Sequence, residues 1–479
     1  MNANRGQGNH VGVGVVRSMC LSMVIGFLLS IAGRANDISV SNLSAAGQDI
    51  VAKTTLLEFD VAWENSWRMA TNHDAAWLFV KYRYPETTGG WAHATLSVYD
   101  ENHTAPAGAT IVSVADGTGV FLQRSANGTG QVNFTGVQLQ WDRGGVTNQT
   151  DVMVDVQVYA IEMVYIPQGE FAAGSGGSEA SAFELTTINT ADATAEGGFP
   201  SGQTAANDAS WPNGFNAFYC MKYEISQSQY ATFLNTLSEE HAVIRYADQN
   251  NNSRFTIGGS HPNFTATAPD RACNYMAWGD GTAYADWSGL RPMTELEFEK
   301  ACRGSEAPVA DEYAWGTADI YGDRYYIIDD GTPSAQIGNM AAGTGNASYS
   351  TTDGNINGPL RCGIFAASTV LARRVESGAS FYGVMELSGN LMERTITIGN
   401  GTGRAFTGNH GDGALNAEGL MNVDGWPTEA GSGGGARGGA YSRPAGDLRV
   451  SARNMATSSI GARLSFNGFR GVRSAGSAP

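Results

Sequence analysis

The sequence predicts an α+β protein in two parts, an all-β sandwich over residues 36–161 and a loop-heavy mixed domain over residues 162–479. Three observations carry this. Five stretches before residue 161 alternate apolar and polar residues at period two, the pattern of strands with one buried face. Beyond it, two segments have fully specified helix starts. The 62 glycines, with only 16% of residues charged, point to long loops rather than long helices.

The first 35 residues read as an export leader. Arg5 and Arg17 make a basic start, Cys20 to Ala32 is an apolar run, and Gly33-Arg34-Ala35 offers small residues for cleavage. That run is short for a membrane span, and no later stretch approaches the length of one. A secreted or cell-surface protein is expected, with no membrane span once the leader is removed. The net charge of −17 argues against a nucleic-acid partner.

The expected strands of the first part are Thr54–Trp63, Ala76–Tyr84, His93–Tyr99, Gly130–Trp141 and Asp151–Ala160, separated by Gly, Asn, Asp and Pro clusters. His73 and Asp74 beside Trp77 are the residue types of a site, but a loop histidine explains them better.

The second part opens at Met163 with MVYIPQGEFAAGS, followed by a Gly/Ser/Ala/Thr-rich loop to about Asn213. Phe215–Leu237 predicts a strand and then a helix. Ser226 is the N-cap, Gln229 completes a capping box, and Tyr230, Phe233, Leu234 and Leu237 form one apolar stripe. Trp287–Gly304 predicts a second helix. Thr294 and Glu297 make its capping box, and Met293 and Phe298 its staple. Pro292 favours an extended lead-in, and Gly304 suits the C′ position. Glu295, Glu297 and Glu299 sit toward the positive end of the helix dipole, Lys300 and Arg303 toward the negative end.

Six segments together carry a resemblance. They are the Met163 run, the Glu224–Phe233 segment, the stretch from Ala272 through Gly-Leu-Arg-Pro-Met-Thr-Glu to Gly304 (with Tyr313-Ala-Trp-Gly316 after it), Val384–Thr395, Arg437-Gly-Gly-Ala-Tyr441 and Gly468-Phe-Arg470. In this order they resemble the sulfatase-modifying-factor family, which includes the formylglycine-generating enzymes. The resemblance implies a variant of the C-type lectin fold over roughly residues 163–475.

It also implies what chemistry to look for. The family's oxidase holds copper(I) between two cysteines near an Arg-Cys-x-x-Arg strand, soft thiolates being the ligands that ion requires. Here that strand reads Asp447 to Arg453, and the two cysteine positions are occupied by Ala445 and Val450. No cysteine follows Cys362, so copper and the oxidase chemistry are not expected. A His-x-x-x-His-x-Glu iron site is likewise missing from the sequence. Cys220, Cys273, Cys302 and Cys362 are either up to two disulfides or buried free thiols.

The family's structural calcium sites find better matches. Glu386, Gly389, Leu391 and Glu393 correspond to one, with two carboxylates and two main-chain carbonyls, a set suited to a hard cation. Asn339, Met340, Asp353 and Asn355 correspond to the other. Lectin-like relatives of this group also serve as receptors that bind through the same C-terminal segment. In this chain that face comprises Tyr441, Ser442, Arg443, Asp447, Arg449, Ser451, Arg453 and Asn454, the side-chain types of adaptable binding surfaces. The expectation is an exported, non-catalytic binding protein for an unknown protein, peptide or glycan. The alternatives are a formylglycine-generating oxidase and a self-assembling extracellular subunit.

Overall fold

In the computed structural model, residues 14–16, 38–84, 90–144, 154–249, 251–369, 373–459 and 461–476 are described. The apolar run of the expected leader lies outside them. Among the described residues no helix is long and apolar enough to cross a membrane.

The architecture is α+β and rich in sheet, with short helices. Ser39–Asp49, Thr54–Arg68, Gly128–Asp142 and Thr95–Leu96 form one four-stranded sheet. It faces a longer sheet whose strands, in spatial order, are Gly434–Arg437, Glu393–Ile396, Arg291–Thr294, Gly471–Ser474, Phe218–Met221, Asp155–Ile166, Asp74–Arg83, Val120–Arg124 and Ala109–Ser113. The pairings along it are antiparallel except Met293–Thr294 with Thr395–Ile396.

Asp155–Ile166 is the strand through which everything connects. Residues 155–164 pair with Asp74–Arg83 on one edge, and residues 163–166 pair with Phe218–Met221 on the other. The expected boundary at 161/162 therefore lies inside one continuous strand. Asp74–Arg83 is buried along most of its length, so Ala-Ala-Trp-Leu-Phe-Val is apolar throughout, against the alternation expected of Ala76–Tyr84. Ala76, Leu78 and Val80 join Phe59, Val61 and Trp63 in the core between the two sheets. Ala75, Trp77 and Phe79 turn the other way, into a core with Phe233, Tyr284 and Trp287. The period-two side-chain alternation of one strand thus serves two cores.

The expected strands are corrected in extent, Gly130–Trp141 to Gly128–Asp142. Thr54–Trp63 runs on to Arg68, and Ala76–Tyr84 is Asp74–Arg83. His93–Tyr99 is broken into Ala92–His93 and Thr95–Leu96. Residues 151–153 of the fifth lie outside the described residues, and the rest continues to Ile166.

Both capped helices form. Gln227–Thr236 starts at Ser226, whose hydroxyl accepts from the Gln229 amide while the Gln229 side chain accepts from the Ser226 amide. Glu295–Arg303 starts at Thr294 with the same reciprocal pair to Glu297 and ends at Gly304, φ 67°. A β-carbon at Gly304 would also stand 2.1 Å from the Phe381 ring.

His73 and Asp74 turn out to be structural. Asp74 accepts from Trp63 Nε1, Ser66 Oγ and the Trp67 amide, at 2.9 to 3.0 Å. His73 stacks on Tyr165 at 4.7 Å. Burial, aided by the Arg68 charge, lowers its pKa from the usual 6.5 to about 4. The unfolded chain therefore takes up this proton first, and the stability it carries is full above pH 6.5 and lost as pH falls toward 4. His73→Phe keeps the stack, and is expected to flatten the fall in denaturation midpoint across that window relative to the parent chain.

Candidate functional site

The helix Glu295–Arg303 is buried along its whole length, charges included. Its glutamates do more than favour the helix dipole. Arg437 bridges Glu295 at 3.0 Å and Glu299 at 2.7 Å. Arg453 meets Glu295 through both Nε and Nη2, at 2.8 and 3.0 Å, with its guanidinium 3.7 Å from the centre of the Phe183 ring. Arg303 pairs with Glu299 at 3.2 Å and with Glu312. Arg291 grips Glu297 through two bonds of 2.6 and 2.8 Å. Four buried acids thus meet four buried arginines, the arrangement that offsets the cost of removing charges from water.

This network is the floor under the C-terminal segment. The expected strand Asp447–Arg453 does not form. Ala445–Leu448 is a 3-10 turn and the residues after it are irregular, because Arg437 and Arg453 fix the segment from below. Val450 is buried in an apolar cluster with Met293, Phe298 and Ala301, and Ala445 is half-buried on the turn.

Several residues expected on a binding face lie inside. Tyr441 is buried, Ser451 is bonded to Arg303 and Glu299, and Arg453 belongs to the network. Ser442 and Asn454 are exposed, while Arg443, Asp447 and Arg449 are half-buried. Asp447 accepts from Asn454 at 3.0 Å, Arg449 meets Asp311 at 2.9 Å, and Arg443 lies 4.3 Å from the centre of the Phe466 ring. Loop residue Ser178, also hydrogen-bonded to Asp311, adds to this rim.

The second cluster surrounds the loop from Glu386 to Glu393. Glu386 and Asn390 adopt positive φ of 54° and 59°, with Gly389 at 95° between them. Left-handed backbone at a glutamate is costly and persists only where the surroundings enforce it. Glu386 Oε1 accepts from the Gly363 amide at 2.9 Å, and Glu393 Oε1 pairs with Arg470 at 2.7 Å. Glu386 Oε2 and Glu393 Oε2 are buried with no partner among the described residues. A third acid, Glu224, accepts from the Leu391 amide at 2.8 Å and from the Asn390 side chain. Burial is the main cause that raises all three pKa values, Glu386 to about 7. Repulsion from Glu393 adds to it at Glu224 and Glu386, while Arg470 opposes it at all three and Arg361 at Glu386. The cluster is short of positive charge.

The other expected cation site is built differently. Asn339 Oδ1 accepts from the Tyr326 amide and its Nδ2 donates to the Arg324 carbonyl. Asp353 accepts from the amides of Asn357 and Gly358, closing its own turn. These side chains have protein donors, and no orphaned oxygen marks a place for a cation beside Met340 and Asn355. Among the described residues no group of three or more His, Cys, Asp or Glu side chains is gathered as a metal site.

Cys220, Cys273, Cys302 and Cys362 are buried free thiols. Burial pushes every one of them up, Cys220 to about 12, so they stay protonated at neutral pH.

A family model described as the sulfatase-modifying factor enzyme 1-like domain matches residues 148–475. The chain belongs to this family. A stretch of 57 residues is 42% identical to the formylglycine-generating enzyme of Streptomyces coelicolor, covering 12% of this chain and 18% of that enzyme. The match thus spans less than a fifth of the curated relative. Treponema denticola variable protein 1 is a similar solved structure, at 13% identity and a TM-score of 0.33, covering 66% of this chain and 96% of that one.

Within the sulfatase-modifying-factor family, copper needs a pair of thiolates, and this chain does not fit it. The resemblance puts the family's two cysteines at Ala445 and Val450, which carry no sulfur, and the four thiols among the described residues are buried and protonated. Glu386 and Glu393 do fit a hard cation, since each offers a buried carboxylate oxygen that lacks a donor. Such an ion would tie the loop to the sheet edge at Glu393. Glu224 and Arg470, which hold the same loop, were not singled out from the sequence, although Glu224 lies in the Tyr-Glu-Ile-Ser segment and Arg470 closes Gly-Phe-Arg.

Proposed function

We propose that this chain is an exported sulfatase-modifying-factor scaffold that binds a protein, peptide or glycan on its C-terminal face without copper chemistry. The observation that carries this is the division of the segment from Arg437 to Asn454. Its buried residues are fixed by ion pairs to Glu295 and Glu299, while Ser442, Arg443, Asp447, Arg449 and Asn454 remain at the rim. A rigid floor under polar, adaptable tips is the layout of a recognition surface.

The test has two arms. Purified protein incubated with copper, oxygen and a Cys-x-Pro-x-Arg peptide is expected to yield no formylglycine by mass spectrometry. On peptide and glycan arrays the same protein is expected to capture a ligand, and the Arg443→Ala/Arg449→Ala double variant to lose it with an unchanged melting temperature. Family membership favours the oxidase as the second reading, and turnover of the peptide would establish that reading in place of ours. For a self-assembling subunit, a monomer in sizing chromatography at high concentration is the contrary result.

A further inference from the structure

A groove of about 280 Å³ lies where the turn at Asp116 and Thr118 meets the loop His410–Asp412, with His93 and Thr95 on its walls. It shares no residue with the 441–454 face or the Glu386 loop. Its polar groups are fixed. Asp116 accepts from the Thr118 amide and hydroxyl at 3.1 and 2.7 Å and from Arg473 at 2.5 Å. Asp412, exposed at the rim, accepts from the Ala414 amide at 2.9 Å.

Both histidines have assignable tautomers. His93 Nε2 lies 2.6 Å from the Thr118 carbonyl and so carries the proton. Its Nδ1 is buried behind the wall, with no partner among the described residues. His410 Nε2 accepts from the Ser474 amide at 3.0 Å, which places the ring proton on Nδ1 as a donor. Burial and the cations behind them keep both rings neutral. Lys81 and Arg473 face His93, and Arg473 and Arg291 face His410, while Asp116 opposes them at His93. Lys81 is itself fully buried and anchored to the Gly413 carbonyl at 2.7 Å.

We propose that this groove binds a neutral, hydroxyl-rich small ligand of about one hexose unit. An anion would meet the carboxylates of Asp116 and Asp412 at the mouth. A cation would meet Arg291 and Arg473 behind the imidazoles. A neutral ligand avoids both, and its hydroxyl donors suit the two carboxylates, with His410 Nδ1–H as the complementary donor. The volume is at the lower end for a small-molecule site, which sets the size of the ligand.

Titration calorimetry of the full chain with glucose, galactose, mannose and N-acetylglucosamine tests this, with methylammonium and inorganic phosphate as charged probes. Saturable binding of at least one hexose and of neither charged probe is expected. Thr95→Trp, at an exposed position on the wall, should weaken that binding at least about tenfold, with the melting temperature unchanged. Asp412→Ala, at an exposed loop position, should weaken it too. The assignment is overturned by no saturable heat with any hexose, by equal binding in both variants, or by tighter binding of methylammonium or phosphate.

Discussion

Arg437→Met is expected to be among the most damaging single substitutions in the chain, costing about 3–5 kcal/mol, the usual penalty for removing one partner from a buried ion cluster. Methionine keeps much of the volume over Phe298, where the guanidinium lies 5.1 Å from the ring centre. The loss is therefore electrostatic. Glu295 and Glu299 each lose a bond, the Val450 carbonyl loses its donor, and none of the three can recover water. Arg449→Met is the matched control, because the Arg449–Asp311 pair is about 30% exposed on both sides. A pair of that kind contributes under about 1 kcal/mol. Urea unfolding of both variants, or failure of the first to fold while the second folds normally, checks the contrast. Equal, small losses would mean the network does not anchor the C-terminal segment.

The contrast also shows which part of this fold was legible. Capping is local, since Thr294 and Glu297 are three residues apart, and both helix starts could be read directly. The partners of the helix glutamates are not local. Arg437 and Arg453 stand 138 to 158 residues away from Glu295 and Glu299, so a single sequence offers the helix dipole as the only visible account of those charges. The same limit explains the failed strand at Asp447–Arg453, whose path is set by what its arginines reach. Asp74–Arg83 lost its alternation because a second core covers its other face, and Ser39–Asp49 was missed because its small polar residues carry no period. Glu386 and Glu393 were singled out through the resemblance. Glu224 was not, since a glutamate leading into a capped helix has an ordinary explanation until the fold brings the Asn390 loop onto it.

That loop yields the last expected result. Calcium added at about a hundred times its dissociation constant should stabilise the protein by about 2.7 kcal/mol, and a chelator should reverse the gain. Glu224, Glu386 and Glu393 are buried around one another, Arg470 answers them, and two carboxylate oxygens have no donor among the described residues. A dication held by Glu386 and Glu393 would give both oxygens a partner and relieve the repulsion, and the positive-φ turn at 386–390 is already formed. Glu386→Gln and Glu393→Gln should each abolish the calcium-dependent shift in melting temperature. Asp353→Asn at the other expected site should leave it in place, because that carboxylate already closes its own turn. A calcium shift that persists in both glutamine variants and disappears with Asp353→Asn would move the cation to the Asn339 loop and leave the paired orphan oxygens of Glu386 and Glu393 to be met by protons.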